Sequence, residues 1–258
     1  MTTAAKAPHP QDADPLTGVR VAMPADWKGR QSPPDTLEIL VLAGHADSQG
    51  MEGAGTSGAA VDRGGARPMD PRMRDELFWN RLIRDAVVHT GQQRGLRIRA
   101  YEPDQLTIAD EEDPRTNWSV GRRHHDAGGY AVEIHFDAYG SYGFGSGLIP
   151  NLRSPATRID ESLALNFGRY PLNFRGGLGA PRRGISILEI GKLEGQLERK
   201  LRDPNSRNAV VSALALRIVT AMELGMAKEP PSPLFSSPHD ADDSAPPGRD
   251  RQTSAEDG

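Results

Sequence analysis

The hydrophobic positions of this chain fall into short runs and helical patterns that are confined to its middle part. Residues 37–42 read Leu-Glu-Ile-Leu-Val-Leu, a strand-length run that predicts a largely buried strand. Three more runs of this kind follow, at residues 97–101, 129–134 and 184–188. Apolar residues recur at three- and four-residue steps in three segments, which predicts helices at residues 72–90, 160–170 and 205–225. Strands alternating with helices indicate an α/β fold, an open and mostly parallel twisted sheet with helices on both faces.

The two ends of the chain lack this pattern. Residues 1–35 contain six prolines and no apolar periodicity, and residues 227–258 contain six more prolines with only Leu234 and Phe235 as large apolar side chains. Such segments bury too little apolar surface to offset the entropy lost on folding. We therefore predict a disordered tail at 1–35, one α/β domain at 36–226, and a disordered, acidic, proline-rich tail at 227–258.

Composition excludes several classes of protein. Lys and Arg number 31 against 35 Asp and Glu, and this net charge of −4 argues against a general nucleic-acid-binding protein. The chain has no cysteine, which excludes disulfides and thiolate metal sites. No apolar run approaches the roughly 18–20 residues of a membrane span, so we expect none. The N-terminus shows no apolar core of a signal peptide, so we expect synthesis in the cytoplasm. We also expect the protein to be a monomer.

Three of the predicted strands lead directly into residues that can bind a metal or transfer a proton. His45 follows the first strand, His135 the third and Glu189 the fourth. Ligands of open α/β sheets bind outside the carboxyl ends of the strands, so these side chains should meet at one rim. A single histidine at a strand end is more often a hydrogen-bonded structural residue, but three such placements favour a site. Glu76, near the start of the next helix, is either a favourable N-terminal charge or the carboxylate ligand of a zinc site.

Four segments, in chain order, resemble those of the zinc-dependent N-acetylmuramoyl-L-alanine amidases, the Amidase_3 or AmiC-like group of cell-wall hydrolases. "ILVLAGH" is similar to the family's first strand with its Gly-His, and "DELFWNRLIRDAV" has its glutamate followed four residues later by asparagine. "YAVEIHFDA" and "GISILEIG" resemble the strands that carry the second histidine and the catalytic glutamate. The resemblance extends over most of residues 37–226. The chain departs from the family after His45, where Ala46 and Asp47 replace two glycines, and at Glu194-Gly195, where the family often has Ser-Asn.

The resemblance implies a function and a set of roles. One Zn²⁺ per chain would be held by His45, Glu76 and His135, with Glu189 as the catalytic base. The reaction would be hydrolysis of the amide between N-acetylmuramic acid and L-alanine, in peptidoglycan or a muropeptide. A protein made in the cytoplasm would meet this substrate by release to the cell wall, by recycling of wall fragments, or by another export route, and the sequence does not choose among these.

Two other functions remain open from the sequence. One is a metallo-amidohydrolase or carboxypeptidase-like enzyme that acts on another amide, although the His-x-x-Glu pattern of those enzymes is not met, because Ser48 stands third after His45. The other is a binding module that kept the fold and lost catalysis, and the presence of Glu189 together with all three candidate ligands argues against it.

Several polar features near these strands have two interpretations each. Asp137 either orients a ligand histidine or caps the turn after the third strand. Aromatic residues within the glycine-rich segment 139–147 form either a lip that contacts sugar or peptide, or a surface loop. Arg182 and Arg183 are either a pair that binds a substrate carboxylate or a solvated pair.

Overall fold

The computed structural model describes residues 13–229, 231, 233 and 234 of the 258-residue chain. In this part of the chain, five strands form one sheet: β1 (Ile39–Ala43), β2 (Ile98–Ala100), β3 (Tyr130–Asp137), β4 (Gly147–Ile149) and β5 (Ile185–Lys192). The α-helices are α1 (Ala59–Asp62), α2 (Asp75–Gln93), α3 (Asn117–Asp126), α4 (Arg158–Phe167), α5 (Gly179–Arg182), α6 (Gly195–Arg202) and α7 (Pro204–Met226). All four predicted strands and all three predicted helices are present, with their ends shifted by a few residues.

The sheet has the order β2-β1-β3-β5-β4. Its first four strands are parallel, and the edge strand β4 runs antiparallel to β5. This confirms the predicted fold class of an open, mostly parallel sheet.

Successive side chains of each strand point to opposite faces of the sheet, and each face has its own core. In β3, Val132 and Ile134 belong to the larger core, which is completed by side chains of α2, α4 and α7. Ala131 belongs to the smaller core on the other face, where α3 and α5 contribute Trp118 and Ala180. Helices therefore cover both faces, as predicted, and the carboxyl ends of the parallel strands form one rim.

The predicted N-terminal tail is wrong for residues 13–35, which pack against the domain. The backbone N–H of Val21 donates to the Ser146 carbonyl (2.9 Å), and the Trp27 indole donates to the Tyr170 carbonyl (2.7 Å). A few residues later, the backbone N–H of Gly29 donates to Glu161 of α4 (2.7 Å). This extended segment satisfies its polar groups with the loops beside β4 and α4, so it needs no apolar periodicity of its own. Residues 1–12 lie outside the described residues.

The predicted C-terminal tail is described only in part, at residues 227–229, 231, 233 and 234. The Leu234 backbone N–H donates to Asn166 of α4 (2.8 Å). The prediction for the rest of this tail lies outside the described residues.

Helix α7 is the segment of the described chain that bears on the expectation of no membrane span. By length and composition alone, its 23 residues are long and apolar enough to do so. Half of its most apolar stretch is buried inside the fold, where Leu214, Ile218 and Met222 are fully enclosed in the larger core. Such burial is typical of a core helix.

Candidate metal centre

Three side chains from separate segments converge at the rim between β1 and β3. His45 lies two residues after β1, Glu76 lies in the first turn of α2, and His135 lies on β3. Glu76 Oε1 is 3.4 Å from His45 Nε2 and 3.2 Å from His135 Nδ1, and one ligand atom from each of the three residues lies within 4.8 Å of the others. The structure therefore brings together the three residues that the sequence predicts as metal ligands.

Two of the three spacings fit a bound metal ion, and the widest, up to 4.8 Å, would have to narrow when an ion binds. Catalytic metal sites of this kind use imidazole nitrogens and carboxylate oxygens about 2.0–2.2 Å from the ion, so two ligand atoms at a tetrahedral angle are roughly 3.3–3.5 Å apart. The two distances to Glu76 Oε1 match that separation within about 0.2 Å. Two imidazoles and a carboxylate in this arrangement could hold one divalent metal ion and leave a fourth position open.

Gly44 and Asn80 hold the turn that carries His45. A Cβ on Gly44 would lie 2.2 Å from His135 Nε2, so only glycine fits beneath the His135 ring. Asn80 of α2 donates to the Gly44 carbonyl (3.1 Å) and ties the turn to the helix that carries Glu76. His45 itself has φ of 64°, in the left-handed region that residues with a Cβ seldom adopt. The backbone is therefore held in an unfavourable conformation that places this imidazole at the rim.

Glu76 is buried and fixed by backbone donors. The N–H of Thr56 donates to Oε2 (2.8 Å) and the N–H of Phe136 donates to Oε1 (3.3 Å). Burial alone would raise its pKa, but the adjacent His45 and His135 outweigh burial and lower the pKa below its ordinary value. The group is thus ionised at neutral pH, as a metal ligand must be.

His135 is contacted by a carboxylate on each side of its ring. Its Nδ1 faces Glu76, and its Nε2 is 3.3 Å from Glu133 Oε2. Burial opposes the charged imidazole, but Glu133 and Glu76 together raise the pKa of His135 well above its ordinary value. A hydrogen on Nε2 directed at Glu133 would leave Nδ1 free for a metal.

Sequence reasoning missed Glu133. It lies two residues before His135 on the same face of β3 and is only 3% exposed. A charged residue inside an otherwise apolar strand is the signal that could have identified it.

Glu189 lies beside this cluster on the neighbouring strand. It is the register partner of His135 across β3 and β5, so the two side chains share a face of the sheet. Its Oε2 is sealed from solvent and has no hydrogen-bond partner among the described residues. Burial raises the pKa of Glu189 to about 8. A carboxyl with a pKa near neutrality can both accept and return a proton at neutral pH.

The cluster opens into a cavity of about 520 Å³. The functional side chains that line it are His45, Glu133, His135 and Glu189, with Trp118 and Arg175 beside them. The cavity is large enough for a small ligand and is closed by α3, α5 and the loops around them.

The other polar residues singled out from the sequence have structural partners. Asp137 Oδ2 accepts the backbone N–H of Gly145 (2.8 Å) and the Tyr170 hydroxyl (3.2 Å), so it caps the loop after β3. Arg183 pairs with Glu111 (3.2 Å) and Glu112 (3.0 Å).

Solved structures provide the comparison with known proteins. The chain is similar to the catalytic domain of the CD27L endolysin targeting Clostridia Difficile, with 16% sequence identity over 72% of this chain and 97% of that one and a TM-score of 0.46. It is also similar to the catalytic domain of CwlV, an N-acetylmuramoyl-L-alanine amidase from Bacillus (Paenibacillus) polymyxa var. colistinus, with 17% identity over 72% and 99% of the two chains and a TM-score of 0.46. A third is Ami1, the N-acetylmuramyl-L-alanine amidase from Mycobacterium abscessus, with 15% identity over 74% and 99% and a TM-score of 0.46. No family model and no curated protein matches the sequence. At such low TM-scores these likenesses carry no weight for function, which rests on the geometry of the site.

Proposed function

We propose that this chain is a zinc-dependent amidase that hydrolyses the amide between N-acetylmuramic acid and L-alanine in peptidoglycan. His45, Glu76 and His135 would hold one Zn²⁺, and Glu189 would be the catalytic base. One observation carries the proposal: ligand atoms of three residues from distant segments meet within 4.8 Å, beside the Glu189 carboxyl, whose Oε2 is sealed from solvent and whose pKa is raised to about 8.

The chain's own residues have distinct parts in this reaction. Zn²⁺, when bound, supplies a Lewis acid that polarises the scissile carbonyl and makes water a stronger acid. Glu189 accepts a proton from the attacking water and passes it to the nitrogen of the leaving amine. Glu133 holds the His135 ring by its Nε2, and the backbone donors at Thr56 and Phe136 hold the Glu76 carboxylate. These contacts fix the ligands before substrate arrives.

The identity of the amide comes from the sequence resemblance around the four site residues. The cavity of about 520 Å³ is compatible with a sugar-linked peptide end. The place where the protein meets this substrate is part of the proposal only as two routes, release to the cell wall or action on wall fragments during recycling.

The test compares wild type with Glu189→Gln, after loading with zinc and incubation with purified peptidoglycan. Metal content is measured by elemental analysis, and new termini are identified by mass spectrometry. We expect one zinc per chain in both proteins, and free L-alanine amino termini on intact glycan from wild type only. The variant should turn over at least about 100-fold more slowly, the usual contribution of general acid–base catalysis.

The control is Glu223→Gln, which removes a carboxylate paired with Arg94 on the outer side of α7. This variant should retain wild-type turnover. Zinc binding without any release would favour an enzyme for another amide. Failure of the wild type to bind zinc would overturn both enzyme functions and leave the binding module.

A further inference from the structure

We propose that Arg175 is a subsite for a carboxylate on the peptide part of the substrate. The proposal rests on the proposed function and adds to it the orientation in which the substrate binds. Arg175 lies in a short 3₁₀ turn (Phe174–Gly176) between α4 and α5, and it lines the same cavity as His135 and Glu189.

The Arg175 side chain is held in place by aromatic rings. Its guanidinium carbon is 5.1 Å from the centre of the Phe174 ring and 5.6 Å from that of Phe144. These two rings pack edge to face with centres 5.5 Å apart, and the guanidinium also donates to the Tyr142 carbonyl (3.4 Å). Stacking and a single backbone acceptor orient the group and leave most of its five N–H donors available.

Two nearby arginines have carboxylate partners, whereas Arg182 donates to the Gly176 carbonyl (2.7 Å) and does not line the cavity. Arg169 pairs with Glu161 (2.7 Å) and Arg183 with Glu112 (3.0 Å). Within the described residues, Arg175 makes no ion pair and its only hydrogen bond is to a carbonyl. Its charge still acts on the site, because it opposes part of the rise in the pKa of Glu189. Arg175 is exposed and lines the cavity, and an arginine there without a carboxylate of its own is suited to receive one from a ligand.

The backbone at Arg175 adds an independent observation. Its φ of 53° and ψ of 31° lie in the left-handed region, which is unfavourable for a residue with a Cβ. Among the described residues, His45 is the only other non-glycine residue with positive φ, and it lines the same cavity. Two glycines, Gly176 and Gly177, follow Arg175. Glycine would adopt the left-handed conformation of position 175 more easily than the arginine that stands there. Strain of this kind concentrates at functional sites.

The charge of the cavity gives the subsite its specificity. Arg175 is the only Lys or Arg among the described residues that line it, and the acidic lining residues are Asp47, Glu52, Glu111, Glu133 and Glu189. A carboxylate would be repelled at those walls and accepted at Arg175. In the proposed substrate the carboxyl of the lactyl group is consumed in the scissile amide, so a free carboxylate can only come from the peptide. Arg175 would therefore select and orient the peptide side of the bond.

The experiment uses two muramoyl peptides that begin with L-alanine and differ in one group. The residue after L-alanine carries a free carboxylate in one peptide and a carboxamide in the other. Zinc-loaded wild type, Arg175→Ala and Arg175→Lys are compared by kcat/KM on both peptides, and by calorimetric binding of the corresponding free L-alanyl peptides. The control is Arg153→Ala, whose guanidinium pairs with Asp126 outside the cavity (2.9 Å).

Wild type should prefer the carboxylate peptide by about 10- to 100-fold, the usual contribution of a hydrogen bond between charged groups. Arg175→Ala should lose this preference and act on the carboxamide as wild type does. Arg175→Lys should retain part of it, and Arg153→Ala all of it.

Equal cleavage of both peptides by wild type and Arg175→Ala would overturn the subsite and leave the proposed function intact. Absence of cleavage, with binding that still discriminates through Arg175, would overturn the amidase and keep the subsite. Neither cleavage nor discrimination would overturn both.

Discussion

Glu133 is the residue whose removal should weaken metal binding through its contact with His135. It contacts His135 Nε2, the ring atom opposite the one that faces Glu76. Carboxylates that hold ligand histidines in this way typically contribute 10- to 100-fold to metal affinity. We expect Glu133→Leu to weaken zinc binding by about that factor, while Glu133→Gln, whose amide oxygen can still accept from Nε2, should lose less.

Affinity is measured by competition with a chromogenic chelator at constant pH, and folding of the metal-free variants by thermal unfolding. The metal-free Leu variant should be less stable than wild type, because the buried His135 Nε2 loses its carboxylate partner, so affinity is measured under conditions in which both metal-free proteins are folded. Zinc affinity equal to wild type in Glu133→Leu would show that the contact has no positioning role.

The sequence predicts the positions of some site residues and not of others. His45, His135 and Glu189 follow or lie at the ends of predicted strands, and parallel strands must bring their carboxyl ends together, so their meeting could be predicted. Arg175 could not, because its turn reaches the cavity only through the packing of its neighbours Phe144 and Phe174. The sequence directed attention instead to the adjacent pair Arg182 and Arg183, and Arg183 is already paired with acidic residues.

At the scale of elements, the sequence missed those that lack a clear apolar period. Helix α6 has only Leu197 and Leu201 as large apolar residues, and β4 is three residues long. Helix α3 packs through a close approach rather than an apolar stripe, since a Cβ on Gly121 would lie 2.4 Å from Ile185 Cδ1. These elements are determined by contacts with the rest of the fold, which local pattern does not contain.

The N-terminal segment 13–35 is the element whose attachment is most easily tested. Gly29 is buried against the first turn of α4, where an added Cβ would lie 2.0 Å from the Thr157 carbonyl oxygen and 2.9 Å from the Glu161 nitrogen. Both atoms are backbone and cannot move aside cheaply. We expect Gly29→Ala to lower the free energy of unfolding by about 1–3 kcal/mol and to expose this segment to protease.

The matched control is Lys28→Ala, an exposed neighbour that should change stability by less than about 0.5 kcal/mol. Urea unfolding and limited proteolysis followed by mass spectrometry provide the measurements. A Gly29→Ala protein as stable and as protease-resistant as wild type would mean that the segment is not anchored at this point.

At the scale of the whole molecule, the pKa shifts at the site should make the free energy of unfolding depend on pH. The fold places Glu189 and Glu76 in one desolvated region with His135, and their pKa values shift in different directions. Burial raises the pKa of Glu189 from 4.5 to about 8, whereas the two histidines lower that of Glu76 and the two carboxylates raise that of His135. Each shift makes stability depend on pH in its own range.

Whether stability rises or falls with pH depends on whether the folded or the unfolded protein binds more protons. Between pH 4.5 and 8 the folded, metal-free protein keeps a proton on Glu189 that the unfolded chain has released, so raising the pH favours unfolding. The stability linked to neutral Glu189 is complete below pH 4.5 and is lost as the pH rises through 8. Glu76 acts in the opposite sense, since its contribution is lost only as the pH falls below its ordinary pKa. His135 begins to add to the decline only above its ordinary pKa of 6.5.

Glu189→Gln should therefore flatten the pH profile of metal-free protein most clearly between pH 5 and 6.5, where Glu76 and His135 contribute little slope. In that range wild type should lose up to about 1.4 kcal/mol of unfolding free energy per pH unit through Glu189, and the variant should lose none of this part. Urea unfolding of chelator-treated proteins at half-unit steps from pH 5 to 8 measures the difference, with Glu223→Gln as the control that keeps the wild-type slope. Parallel profiles for wild type and Glu189→Gln would contradict the raised pKa of Glu189, and with it the reason for which this carboxyl is suited to accept and return a proton.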